Sequence, residues 1–275
     1  MILKNVQLNK EYQSSYGNIR YDVVGTGPPL VLVHGTPWSS FNWRHLLPAL
    51  SNWFTVYYYD LLGYGQSEKK EGQNVSLGIQ NEILKELLQE WQLDNPYIVG
   101  HDFGGTTVLR AHLLNNVNFK KIILVDPVAI EPWGSPFFSH VNQFEEAFKY
   151  VPSDIHTAIV SAYIKSAQYN EMSKETREGI ISFWQGEEGQ SAFYRQIAQA
   201  SQKYTDEIEP LFKHVSSETL IVWGQEDKWI PVEKSYILHE KINNSHLKII
   251  PNAGHLVQED TPTILFEAIL SFIRK

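Results

Sequence analysis

Val99-Gly100-His101-Asp102-Phe103-Gly104-Gly105 is the stretch on which the reading of the chain turns. An apolar run, Pro96-Tyr97-Ile98-Val99, leads into it, and a helical stretch, Thr106-Thr107-Val108-Leu109-Arg110-Ala111-His112-Leu113-Leu114, leads out. Strand, Gly-x-Nu-x-Gly and helix in that order are the context of a nucleophile elbow, in which the central residue projects from a strained turn above a sheet. Glycines flank it at two residues on either side because the turn crowds its neighbours. Here the central residue is aspartate in place of serine.

Working outward, buried-strand patterns recur. Pro29-Leu30-Val31-Leu32-Val33 is a continuous apolar run, typical of a strand covered on both faces of a parallel sheet. It ends in His34-Gly35-Thr36-Pro37-Trp38, and a helix is expected from Ser39 or Ser40 to about Leu50. Phe54-Thr55-Val56-Tyr57-Tyr58-Tyr59 is β-branched and aromatic, hence a strand. It runs to Asp60 and the turn Gly63-Tyr64-Gly65-Gln66-Ser67. From Ser76 a helix carries Ile79, Ile83, Leu87 and Trp91 on one stripe. Lys121-Ile122-Ile123-Leu124-Val125 is a strand ending at Asp126-Pro127. Residues 2–8 and 18–24 alternate as two further strands joined near Gly17.

From about 128 to 214 no buried strand run occurs. Helical stretches are expected around 139–150, 154–168, 173–184 and 189–203, interrupted by Pro132-Trp133-Gly134-Ser135-Pro136 and by Pro152. The alternation resumes with strands at 219–223 and 247–250, a helix from Pro231 to about Lys241, and a final helix from Thr261 with Pro262 at its first position. Alternating strands and helices predict an α/β fold with a mostly parallel sheet of about eight strands flanked by helices. The core domain comprises 1–127 and 215–275, and 128–214 is an inserted helical cap over the sheet's C-terminal edge.

Composition sets the outer bounds. A chain of 275 residues suits one α/β domain with an insertion, and 43% hydrophobic with 20% charged residues reads as an ordinary soluble protein. A formal charge of -8 argues against nucleic acid or an anionic membrane surface as partner. Without cysteine, disulfides, thiolate nucleophiles and cysteine metal sites are excluded. No apolar signal region opens the sequence and no stretch of about 18 apolar residues follows, so a cytoplasmic location without membrane contact is expected. Aromatic residues at 13% fill a core or line an apolar pocket.

Ligands of open α/β sheets bind beyond the carboxyl ends of the strands. Four segments fall there: His34-Gly35-Thr36-Pro37, Gly100-His101-Asp102-Phe103-Gly104, Gly224-Gln225-Glu226-Asp227-Lys228-Trp229-Ile230-Pro231 and Asn252-Ala253-Gly254-His255. Nucleophile, acid, histidine is the chain order of α/β-hydrolases. Over essentially its whole length the sequence resembles that superfamily, within the aspartate-nucleophile branch of epoxide hydrolases and haloalkane dehalogenases.

The resemblance implies two-step hydrolysis of a small, largely apolar molecule. An aspartate is ionised at neutral pH without help from a base, so Asp102 attacks an sp³ carbon and forms an alkyl ester. His255 then activates water, and a second carboxylate orients the imidazole. That acid is Asp227, in Gly-x-x-Asp-x-x-x-Pro, with Asp126 at the end of the preceding strand as the alternative. Backbone N–H groups of Thr36 and Phe103 form the oxyanion hole. His34 and His101 are read as structural and His112 as packed. Gly63-Tyr64-Gly65 lacks the glycine pattern of a dinucleotide site. No metal spacing stands out, and an aspartate-nucleophile hydrolase needs no cofactor.

The leaving group divides the branch. Haloalkane dehalogenases usually carry tryptophan after the nucleophile to hold halide, where this chain has Phe103, so a halide site would draw on Trp38, Trp133 or Trp184. Epoxide hydrolases usually protonate the epoxide with two cap tyrosines. The insertion holds Tyr150, Tyr163, Tyr169 and Tyr194, with Tyr163 and Tyr194 the first choices because they fall in helical stretches. His34-Gly35-Thr36-Pro37 is also similar to the epoxide hydrolase loop. Epoxide opening is favoured over dehalogenation. Ester or lactone hydrolysis and a non-catalytic, ligand-binding member of the fold are the further alternatives. Monomer and homodimer both remain open.

Overall fold

The computed structural model describes residues 6–275. In chain order come β1 (Lys10–Gln13), β2 (Asn18–Val24), β3 (Pro29–Val33), a short α1 (Leu47–Leu50), β4 (Thr55–Tyr59), α2 (Leu77–Glu90), β5 (Tyr97–His101), α3 (Phe103–Leu114) and β6 (Lys121–Val125). A wholly helical segment follows: α4 (Pro136–Lys149), α5 (Ser153–Ile164), α6 (Lys174–Ser182), α7 (Gly186–Ala198) and α8 (Lys203–Asp206). The chain then returns through β7 (Glu218–Gly224), α9 (Glu233–Lys241), β8 (Ser245–Ile250), α10 (Val257–Asp260) and α11 (Pro262–Arg274).

The eight strands form one sheet in the order β1-β2-β4-β3-β5-β6-β7-β8. Among the described residues, only the pairs β1–β2 and β2–β4 are antiparallel. The strand period of two explains why the central runs are apolar throughout. In β3, Val31 and Val33 face a core shared with Ile83 and Leu87 of α2 and Val108 of α3, while Leu30 and Leu32 face the other, with Ile269 and Phe272 of α11. Each face therefore demands its own hydrophobic set.

The first strand differs from expectation. It is Lys10–Gln13, paired with Asn18–Ile19-Arg20-Tyr21, and it turns at Ser14–Gly17. Residues 6–8 are not in a strand, and the rest of the expected 2–8 run lies outside the described residues. Val6 and Leu8 are buried without joining the sheet, and the Leu8 N–H donates to the Gln66 side chain. The helix expected from Ser39 to Leu50 is two pieces, a 3-10 turn at Ser40–Trp43 with Ser39 as cap, then α1. Pro136 opens α4 instead of breaking a helix, since a helix's first residue needs no N–H acceptor.

The helical segment bonds to the loops beyond β3, β4 and β8. Trp184 Nε1 donates to Pro37 O at 2.9 Å, the Val75 N–H to Gln199 Oε1 at 2.7 Å, and the Leu256 N–H to Ala167 O at 2.9 Å. Among the described residues, no helix is long and apolar enough to cross a membrane.

Candidate active site

Between β5 and α3 the chain turns at a single residue, Asp102, with φ 54° and ψ -121°. That conformation is outside the regions open to most L-residues. The turn drives the start of α3 against β3. A Cβ on Gly104 would lie 2.2 Å from the Val33 carbonyl oxygen, so no side chain fits. A Cβ on Gly35 would lie 2.2 Å from Asp102 Oδ1, so this glycine makes room for the carboxylate.

The Asp102 carboxylate is held at both oxygens. Oδ1 accepts the Thr36 N–H at 2.6 Å, and Oδ2 lies 3.2 Å from His255 Nε2. The Phe103 N–H is the first of α3, one of the helix-start amides without an intrahelical acceptor. His255 Nδ1 lies 2.8 Å from Asp227 Oδ2, and Asp227 Oδ1 accepts the N–H groups of Trp229 and Ile230 at 2.7 and 2.9 Å. The loops beyond β5, β7 and β8 thus deliver one hydrogen-bonded line, Asp102–His255–Asp227. All three side chains are buried. Burial works against a charged His255, but the Asp227 charge and the hydrogen bonds to Asp102 and Asp227 hold it well above the ordinary histidine value.

Asp126 sits beside this line without replacing Asp227. Its Oδ1 accepts the Gly224 N–H at 2.8 Å, and its Oδ2 is buried with no partner. Burial, then the Asp227 charge, raise its carboxyl well above the usual range, which favours the neutral acid. Asp126, Asp227 and His255 bring donor atoms within 4.8 Å of one another, a cluster hidden in the sequence. The set suits an acid–base line better than a metal, because both His255 nitrogens are already engaged by carboxylates.

The three histidines read as structural or packed hold backbone. His101 Nε2–H donates to the His255 carbonyl at 2.9 Å and its Nδ1 accepts from Gln258, while burial lowers it to about 3. His34 donates to Gly35 O and accepts the Leu61 N–H, each at 2.9 Å. His112 donates to Val117 O at 2.7 Å and accepts the Ser216 N–H.

A cavity of about 450 Å³ opens on Asp102. Phe103, Trp133, Phe138, Tyr163, Trp229 and Ile230 give it an aromatic and apolar wall, and Lys228 also lines it. Of the five predicted pocket residues, Trp133 and Tyr163 line it and Trp38, Trp184 and Tyr194 do not. Trp184 is turned away because its indole N–H is spent on Pro37 O. The Tyr194 hydroxyl donates to His156 Nδ1 at 3.0 Å inside the helical segment. Trp38 packs on Trp229, with ring centroids 5.4 Å apart. Trp133 donates to Thr205 Oγ1 at 2.9 Å, so its N–H is not offered to a ligand. Tyr150 and Tyr169 are exposed.

Three residues were not foreseen. Gln196 of α7 accepts from Thr36 Oγ1 at 2.6 Å and from the Tyr64 hydroxyl at 3.0 Å, tying the helical segment to the Thr36 loop. Tyr64 is in the Gly63-Tyr64-Gly65 turn, whose glycine spacing was the only signal. Trp229 lies two residues after Asp227 and had none beyond that position.

Comparison with known proteins agrees with the fold. The family model described as alpha/beta hydrolase fold matches residues 28–262. The chain belongs to this family. A solved alpha/beta hydrolase fold protein from Burkholderia ambifaria superposes with a TM-score of 0.94 and 44% identity, over 97% of this chain and 98% of that one. The chain is 28% identical to 2-hydroxy-6-oxo-2,4-heptadienoate hydrolase of Pseudomonas putida, over 86% of this chain and 85% of that protein. It is 24% identical to the soluble epoxide hydrolase of a Corynebacterium, over 92% and 93% of the two chains. Haloalkane dehalogenases are also among this hydrolase's relatives.

Proposed function

We propose that this hydrolase opens a small, largely apolar epoxide through an ester on Asp102. The observation that carries the reading is a carboxylate on the elbow, within 3.2 Å of His255 and facing a cavity whose wall includes the Tyr163 phenol. Asp102 Oδ2 attacks an epoxide carbon, the C–O bond breaks, and the departing oxygen takes the Tyr163 proton. Burial, then the Asp102 charge, keep that phenol well above its ordinary value, so it enters the step protonated. Oδ1, already on the Thr36 amide, becomes the ester carbonyl.

Esterification neutralises Asp102. One of the two charges that held the His255 proton disappears, the imidazolium passes that proton through water to the Tyr163 phenolate, and the neutral imidazole can then take a proton from water. The hydroxide formed adds to Asp102 Cγ, and the oxyanion is met by the Thr36 and Phe103 amides. In the collapse the bond from Asp102 to the alkyl oxygen breaks, the intermediate's hydroxyl proton goes to the departing alkoxide to complete the diol, and the restored carboxylate again holds the proton on His255. The segment 128–214 acts as the cap that closes this cavity.

Dehalogenation has less support. The Phe103 side chain has no N–H, and the indole N–H groups of the two cavity-lining tryptophans, Trp133 and Trp229, are spent on Thr205 and Ser166. The test is turnover of a panel of epoxides, haloalkanes and aryl esters by the native chain and by Asp102→Ala. Diol formation that vanishes in the variant is the expected result. Halide release or ester cleavage in the absence of any diol would replace the reading.

A further inference from the structure

The ring of Trp229 lies over His255. The centroids are 5.1 Å apart and the planes 23° from parallel. The same indole packs against Trp38, at 5.4 Å and 21°, and against Tyr163, at 4.7 Å and 32°. Its backbone N–H donates to Asp227 Oδ1, and its Nε1–H donates to Ser166 Oγ at 2.9 Å. The next residue of the helical insert, Ala167, accepts the N–H of Leu256, the neighbour of His255. Ser166 and Ala167 therefore hold both sides of the stack.

We propose that Trp229 is a positioning residue for His255, whose indole face favours the imidazolium formed when the base takes a proton from water. The inference rests on the two-step reading above. An aromatic face attracts a cation through its quadrupole, and the attraction grows where water is excluded. His255 is fully buried, so both conditions hold. The other groups facing it are Asp102 from the elbow, Asp227 from the loop beyond β7, Asp126 beyond β6, and His101, whose ring is 5.0 Å away. Asp102 loses its charge on esterification, and burial disfavours the charged forms of Asp126 and His101. At the moment of water activation, Asp227 and the Trp229 face are what remains to stabilise the new charge.

Asp102→Asn gives the uncharged state without chemistry, because its side-chain amide is neutral like the ester. Histidine-labelled protein titrated by NMR then reports His255 directly. The His255 midpoint should fall by about half a pH unit or more on adding Trp229→Leu to Asp102→Asn. Trp229→Phe, which keeps an aromatic face, should restore most of the shift. With Asp102 present, Trp229→Leu should slow hydrolysis of the ester by about three- to thirtyfold while changing its formation less, so the adduct accumulates. If Trp229→Leu does not fold, Trp229→Met offers a flexible side chain without an aromatic face. An unmoved midpoint in a folded double variant overturns the proposal. A moved midpoint with no ester on the native chain upholds the stack and refutes only the chemistry assigned to Asp102.

Discussion

Replacing Asp227 by asparagine keeps the shape of the side chain and removes its charge. Asp227 Oδ2 lies 2.8 Å from His255 Nδ1. With charge centres about 4 Å apart and an effective dielectric of about 20, the attraction to an imidazolium is about 4 kcal/mol, or roughly a thousandfold in rate. Part of that field has a substitute. Burial, then the Asp227 charge, raise the Asp126 carboxyl well above the usual range, and its donor atom is within 4.8 Å of the pair. Losing Asp227 removes the second of these causes and so eases ionisation of Asp126. The expected fall in kcat for Asp227→Asn is therefore about 10²- to 10³-fold, with the ester accumulating because its hydrolysis is the step affected. Rapid-quench mass spectrometry measures both quantities. Asp126→Asn alone should change kcat by less than about threefold, since an amide oxygen still accepts the Gly224 N–H, and the double variant should fall below the product of the two single effects. A crippled Asp126→Asn beside an active Asp227→Asn would refute the reasoning.

Tyr163→Phe should cost about 10²- to 10⁴-fold in epoxide opening with the fold intact, read as loss of single-turnover ester formation. The pH profile of kcat should rise as His255 in the ester loses its proton. No falling limb should appear below the ordinary tyrosine value of 10.0, because burial and the Asp102 charge hold Tyr163 above it. Asp126 carries a raised folded value, so its contribution to stability is complete below the unfolded carboxyl value and is lost as pH rises toward the folded one. Denaturation at pH 4 and pH 8 should accordingly show Asp126→Asn gaining stability over the native chain only at the higher pH.

The elbow and the central strands were legible in the sequence because local chemistry dictates them, whereas His255 and Asp227 were placed through the family resemblance. Gly104 has no room for a Cβ, and β3 is apolar on both faces because both are covered. The first strand was not legible, because Lys10–Gln13 is a polar edge strand positioned by its pairing with β2. The pocket was half legible. Tyr163 and Tyr194 both lie in helices of the insert, and only a long-range bond, Tyr194 to His156, separates the buried structural phenol from the one facing Asp102. Trp184 is likewise decided by a carbonyl 147 positions away in sequence. The crowding of Asp126 against Asp227 and the stack of Trp229 on His255 exist only once the loops beyond β6, β7 and β8 meet.

The most direct measurement is intact-protein mass spectrometry of His255→Gln incubated with small epoxides. Without its base the enzyme should stall after the first step. The account predicts a mass gain equal to one whole epoxide, mapped by digestion to Asp102. A folded variant that gains no mass from an epoxide the native chain hydrolyses would contradict it.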